Sequence, residues 1–305
     1  GGCEAALCPV FETTVREDRG EYELVQDFAG RKVLYFKGRR NGFMPEYLDH
    51  PVKDRAGWER EIKWRMDPDA PGRDEIGKGS VENALRDRQD GVIVSQMVVG
   101  GYMYLRSLIG PEALLYMFYD DPALIHECMK GWFELADAVI ARHQKILPLD
   151  ELFLSEDICY KTGALISPEM MREFLFPYYQ QLFANMRARD PGRHIFLNVD
   201  TDGHCESVIP LYRELGLEVM SPFEVASDCD VVAIGQRYPD LRISGGIDKR
   251  CIAAGGDTIK RHLEAIMPAM RRRGGYIPTC DHGVPEETSF ENYLLYRRLM
   301  NEYCG

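Results

Sequence analysis

Apolar positions along this chain keep one rhythm up to about residue 50 and another after about residue 90. In the first stretch, EYELVQ and RKVLYF are short runs rich in β-branched and aromatic residues, separated by DFAG. That pattern predicts an antiparallel hairpin or flap over residues 11–50. Residues 51–90 are polar and rich in Pro and Gly, with a short helical candidate around Trp58 to Trp64. Six short apolar runs then alternate with longer amphipathic stretches: VIVSQM (92–97), LFLSED (152–157), IFLNVD (195–200), EVMSPFE (218–224), RISGGID (242–248) and YIPTCD (276–281). Strand then helix, repeated, predicts parallel strands joined by crossover helices, an α/β fold.

The tails of these runs carry the chemistry. Glu156 and Asp157, Asp200 and Asp202, Glu224, Asp248, and the trio Cys280, Asp281, His282 all sit at or just past a predicted strand end. In a (β/α)8 TIM barrel every strand opens on one face, where catalytic groups gather. An open doubly wound sheet also aligns its strand ends, but neither GxGxxG nor GxxxxGK[ST] occurs, so the barrel is preferred. No linker-like shift in composition divides the chain, and residues 1–305 read as a single domain, with the barrel core over 90–300 and the hairpin as an N-terminal extension.

Composition narrows the classes. The chain is 45% hydrophobic and 28% charged with a formal net charge of -12, and no apolar run reaches the ~18 residues a membrane helix needs. The basic clusters, Arg39–Arg40 and Arg271–Arg273, are too short for a polyanion groove, so neither nucleic acid nor membrane is expected as a partner. Nine cysteines without CxxC spacing read as a reducing, cytoplasmic setting. The start GGCEAALCPVF lacks a signal-peptide pattern; without an initiator Met, it reads as processed, truncated or tag-derived.

Each motif has two readings. Asp200 and Asp202 share one side of an extended chain and could serve as ligand or catalytic carboxylates, or one could cap the helix after Gly203. His282, beside Asp281, suits a general acid, general base or metal ligand, or a turn histidine satisfied by backbone. Cys205 and His204 are adjacent and so point apart; carboxylate, His and Cys together make Asp200, Asp202, Cys205 and His282 candidate zinc ligands. Tyr102 with Arg106 and Tyr160 with Lys161 pair an aromatic with a cation after a strand, suiting an anionic substrate or plain surface snorkelling.

The segments EDICYKTGALISPEMMREFLFPYY, NVDTDGHCESVIPLYRELGLEVMSPFEVAS, ISGGIDKR and GGYIPTCDHGVPEE, in that order, resemble the uroporphyrinogen decarboxylase superfamily, in its branch of cobalamin-linked methyltransferases. The resemblance implies a (β/α)8 barrel with its site at the C-terminal mouth and, since six strands are plain, a first strand upstream of residue 1. Where zinc-bearing relatives hold the metal with an HxC pair and a later Cys, the matching positions are Asp200, Asp202 and His282; where the decarboxylase has the His of a GHG turn, the match is His282.

Three functions follow. The first is a methyltransferase (O-demethylase type) moving a methyl group from a small methoxylated or methylated compound to a corrinoid partner protein that carries cobalamin. In it His282, Asp202 and Glu224 are catalytic, with Tyr102, Arg106, Glu156, Tyr160, Lys161 and Asp248 contacting substrate, and zinc is a candidate cofactor. The second is a cofactor-free decarboxylase (carboxy-lyase) of a carboxylated tetrapyrrole, with Arg106 clamping carboxylates. The third is a non-catalytic ligand-binding barrel. A homodimer is the expected assembly.

Overall fold

A computed structural model describes residues 6–38, 45–73 and 78–304; Cys3, Arg39 and Arg40 lie outside the described residues. Close Cα packing groups the chain into two compact units, Gly1–Asp150 with Glu169–Ile195, and Glu151–Pro168 with Phe196–Gly305.

The first unit opens with a four-stranded antiparallel sheet in sequential order, β1 (Thr14–Arg19), β2 (Tyr22–Gln26), β3 (Lys32–Phe36) and β4 (Glu46–Asp49), the flap anticipated from its alternation. The DFAG turn is built by Asp27. Its Oδ1 accepts the N–H groups of Ala29 and Arg31 at 3.0 and 2.9 Å, and its Oδ2 accepts the Arg31 Nε–H at 2.8 Å. Both side chains are buried, and the Arg31 guanidinium stacks 4.5 Å from the Tyr47 ring centroid. An Asp that satisfies the backbone two and four residues on fixes the turn and hence the β2–β3 register.

Beyond the flap the unit is helical. The predicted helix near Trp58 is a π turn, Trp58–Ile62, running into a 3-10 turn, Lys63–Met66. The predicted strand at 92–97 is shifted: Val92 and Ile93 are exposed, and β5 is Ser95–Val99. The reason is a long-range contact: the Asp150 carboxylate takes both Arg88 Nη2–H (3.0 Å) and the Val94 N–H (2.9 Å), holding the preceding segment as a loop. Helices Gly101–Ile109, Pro122–Gln144 and Phe176–Arg189 meet at Trp132, whose Nε1–H donates to Val99 O at 2.7 Å, and at Tyr179, whose hydroxyl accepts the Gly101 N–H at 2.6 Å.

The second unit is the parallel sheet. Its strands are β6 (Glu151–Ser155), β9 (Phe196–Asp200), β10 (Leu217–Ser221), β11 (Arg242–Ser244) and β12 (Tyr276–Ile277), side by side in the order β12-β11-β10-β9-β6 and all parallel. The two-residue strands β7 (Cys159–Tyr160) and β8 (Gly163–Ala164) form a small hairpin after β6. Five predicted strands are thus present, each shorter than its apolar run. The punctuation explains where they stop: β10 ends before Pro222 and β12 before Pro278, where the ladder donor is missing. β11 ends before Gly245 and Gly246, both at positive φ. Helix Gly256–Arg273 buries Ile259, Leu263, Ile266, Met267 and Met270, a stripe at helical spacing, and the basic cluster Arg271–Arg273 is its last turn, where cations oppose the helix dipole.

Gly245 is irreplaceable on geometric grounds. Its φ is +114° and an added Cβ would lie 1.8 Å from the Pro222 carbonyl oxygen. Gly245→Ala is expected to lower the unfolding free energy, and with it the urea midpoint, by more than the ~1–3 kcal/mol typical of such strain. Gly192→Ala, with nothing within 4 Å, should stay within about 0.5 kcal/mol of wild type. Equal midpoints for the two variants would refute this account of the β11 turn.

Candidate active site

Because the five strands of the second unit are parallel, their C-terminal ends lie along one edge of the sheet, and each is followed by a loop bearing ionisable groups. After β6, Glu156 donates its N–H to Asp200 O at 2.8 Å and buries its side chain completely, while Asp157 adopts a left-handed conformation, φ +48°. After β9 the chain is gathered by Thr201, a fully buried residue whose hydroxyl oxygen accepts the N–H groups of Ile158 and Cys159. Gly203, φ +80°, then passes so close to Tyr160 O and Cys159 that a Cβ would sit 2.7 Å from the former.

The acidic side chains are then distributed. Asp200 accepts the Ser221 hydroxyl at 2.6 Å. Asp202 points its Oδ2 at His282 Nε2, 3.3 Å away. Glu224 accepts the Gly203 N–H at 2.9 Å with one oxygen and Lys249 Nζ at 3.1 Å with the other. Beneath them lies Asp281, fully buried, which accepts the Val225 N–H at 2.9 Å and the Lys249 N–H at 3.0 Å; its own N–H donates to Ile247 O at 2.9 Å.

Electrostatics separate these carboxyls. Burial pushes Asp202 up; the His282 ring opposes this, but Glu224, Asp157 and Asp200 reinforce it, and the group reaches about 6. Burial likewise raises Asp200, only partly offset by the Ser221 hydroxyl. Glu224 moves the other way: burial pushes it up, but the Gly203 N–H and the Lys249 ammonium together outweigh that and leave it below its ordinary value. One site therefore holds a carboxyl that exchanges its proton near neutral pH beside one that stays ionised, the split that allows one to act as acid and the other as fixed charge.

Asp202, Glu224 and His282, marked in the sequence, lie together, and Asp200 is near enough to Asp202 to repel it. Asp248 is spent elsewhere: it caps helix Lys249–Ala254 and pairs with Arg250 at 2.8 Å. Tyr160 and Lys161 are exposed on the β7–β8 hairpin. Tyr102, fully buried, and half-buried Arg106 lie in helix Gly101–Ile109 of the first unit. Cys205, a candidate metal ligand in the sequence, lies away from these carboxylates' solvent-facing side. It is fully buried, with its sulfur 3.8 Å from that of Cys229. Asp200 is turned to Ser221, and among the described residues no three His, Cys, Asp or Glu side chains are grouped as a metal site. Sequence reading passed over Lys249, Ser221 and the anchoring use of Asp281. Lys249 had a signal, a cation directly after the Gly-Gly-Ile-Asp strand end.

Parallel strands with a polar site at their C-terminal ends are the arrangement of the α/β barrel class. The chain belongs to the uroporphyrinogen decarboxylase (URO-D) family, whose match covers residues 48–303. A curated relative, uroporphyrinogen decarboxylase from Hydrogenobaculum sp. (strain Y04AAS1), is 19% identical over 132 residues, 43% of this chain and only 36% of that protein's length. A solved methyltransferase from Methanosarcina mazei superposes with a TM-score of 0.58 at 14% identity, covering 91% of this chain and 77% of that one. The likeness is one of fold, the (β/α)8 barrel. Among the described residues no helix is long and apolar enough to cross a membrane.

The raised Asp202 carboxyl makes a signed prediction. The folded protein holds this proton more tightly than the unfolded chain, so ionisation weakens the fold: the term is absent below the ordinary value of 3.8, grows as pH rises, and is complete above about 6. Asp202→Asn cannot ionise and should lose less stability than wild type between those limits, in urea titrations at stepped pH. Parallel stability curves would place Asp202 in the ordinary carboxyl range.

The anchor makes another. Asp281→Ala leaves two buried N–H groups without acceptors, at about 1–3 kcal/mol each, and should melt well below wild type, whereas His282→Ala, next along the chain but half exposed, should not. A melting point for Asp281→Ala close to wild type would show that the loops do not depend on this carboxylate.

Proposed function

We propose that this chain is a methyltransferase that takes a methyl group from a small methoxylated or methylated compound and passes it to a corrinoid carried by a partner protein. The observation supporting it is the charge of the site. Asp157, Asp200, Asp202 and Glu224 stand against Lys249 and His282, a surface that repels a polycarboxylated ring and tolerates a neutral or cationic methyl donor. The Methanosarcina mazei methyltransferase agrees in fold.

In this reading Asp202, protonated for a useful fraction of time near neutral pH, gives its proton to the leaving oxygen, nitrogen or sulfur as the bond to methyl carbon breaks. His282, 3.3 Å away, orients that carboxyl and takes part in restoring its proton. Glu224, tied to Lys249 and the Gly203 N–H, stays ionised and fixes the loop that carries Asp202. The corrinoid supplies the methyl acceptor, and no step here uses zinc.

The second reading, decarboxylation of a carboxylated tetrapyrrole, is favoured by the likeness to the Hydrogenobaculum uroporphyrinogen decarboxylase. One experiment separates the two: purified protein offered methoxylated and methylated compounds with a reduced corrinoid protein, and in parallel a carboxylated porphyrinogen. Demethylated product with methylated corrinoid supports methyl transfer, while carbon dioxide release from the porphyrinogen replaces it with decarboxylation.

With an activity in hand, His282→Ala should melt within about 0.5 kcal/mol of wild type yet lose ~10²- to 10⁴-fold in rate. Asp202→Ala should behave alike in rate, and the double variant should fall well short of the product of the two defects, because the pair acts as a unit. A folded His282→Ala protein with near-normal turnover would remove the histidine from the mechanism.

A further inference from the structure

Behind the carboxylates, on the buried side of the same two loops, the sulfurs of Cys205 and Cys229 face each other at 3.8 Å. Both residues are enclosed, at 0% and 3% exposure. A disulfide needs about 2.05 Å between sulfurs, so the pair is within one small side-chain and loop adjustment of bonding. Neither residue lies inside a regular helix: Cys205 precedes the 3-10 turn Glu206–Val208, and Cys229 sits between the turn Val225–Ser227 and helix Val231–Arg237.

The pair is wired to the loops that carry the site. Cys229 donates its N–H to Glu224 O at 3.3 Å, its thiol reaches Gly203 O at 3.4 Å, and Gly203 in turn holds Glu224 through its N–H. His204, between Gly203 and Cys205, contacts Ser227 O through Nδ1 at 2.9 Å. The β9 and β10 loops are thus joined by hydrogen bonds at this point, with the two thiols between them.

We propose that Cys205 and Cys229 are an oxidisable dithiol, a modification site whose disulfide would lock the β9 loop of Asp202 to the β10 loop of Glu224. The oxidant is a small peroxide. The Cys229 sulfur attacks one peroxide oxygen, the O–O bond breaks, and Cys229 becomes a sulfenic acid with release of water. The Cys205 sulfur then attacks Cys229, the S–O bond breaks and a second water leaves. Two thiols lose two hydrogens overall and hydrogen peroxide is reduced to two waters. The roles are asymmetric: the hydrogen bond from Cys205 lowers the Cys229 thiol against the upward push of burial, whereas that contact and burial hold Cys205 up. Nucleophilic attack follows the thiolate.

The test uses the whole chain, fully reduced, exposed to hydrogen peroxide, alkylated under denaturing conditions and mapped by mass spectrometry. The expected product is a linked peptide pair carrying Cys205 and Cys229, reversible by dithiothreitol, with the intact mass lower by two hydrogens. Cys205→Ser and Cys229→Ser should each abolish it, while Cys159→Ser, which removes the third buried thiol nearby, should not. Amide exchange across residues 201–205 and 224–229 should slow in the oxidised protein and recover on reduction. A link through Cys159, over-oxidation of Cys229 without a link, or thiols that remain fully alkylatable would each overturn the dithiol, and unchanged exchange in a linked protein would overturn the lock. If a serine variant fails to fold, the wild-type peptide map still decides.

Discussion

A carboxylate with no solvent around it must be satisfied by donors, and Asp281 is satisfied by the backbone of two other strand ends. Val225 follows Glu224, and Lys249 is itself the partner of Glu224. One buried side chain therefore sets the spacing of the β10, β11 and β12 loops, and the functional groups above inherit their positions from it. Burial pushes the Asp281 carboxyl up while the two N–H donors hold it back, a contest in which geometry matters because each donor is worth most when well aligned.

The site above that anchor works by unequal treatment of like groups. Asp202 is partly withdrawn from solvent and has three acidic neighbours, opposed by His282. Glu224 has a backbone donor and an ammonium. The difference arises from which loop turns toward which donor, and Gly203 decides it: at φ +80° it presents its N–H to Glu224 rather than to its own neighbour Asp202. Any side chain at this position would collide with Tyr160 O and Cys159.

Much of this could be read from the residues in order. The alternation of apolar runs predicted six strands, of which five lie in the parallel sheet of the second unit and the sixth is displaced to Ser95–Val99, and the flap with its DFAG turn was visible because Asp, Ala and Gly punctuate two β-rich runs. Strand ends acidic enough to mark an edge of the sheet led to Asp202, Glu224 and His282. Side-chain direction was not legible. Nothing in GGIDKR distinguishes Asp248, which turns to its own helix and Arg250, from Lys249, which reaches Glu224. Cys205 looked like a soft ligand because its neighbours are polar, yet the 3-10 turn that follows buries it against a cysteine 24 residues away. The Val92–Val94 run misled for a similar reason, since an Asp more than fifty residues later claims its backbone.

The adjacency of Asp281 and His282 has an evolutionary reading. Consecutive residues here face opposite environments, one fully enclosed and the other half open, so the fold holds the polypeptide by one side chain and exhibits the next. A lineage can exchange the exhibited residue without disturbing the grip, and histidine and cysteine are the alternatives that the resemblance to decarboxylases and zinc-bearing methyltransferases implies at that position. New reactivity on such a scaffold needs only a change of tool on a fixed handle.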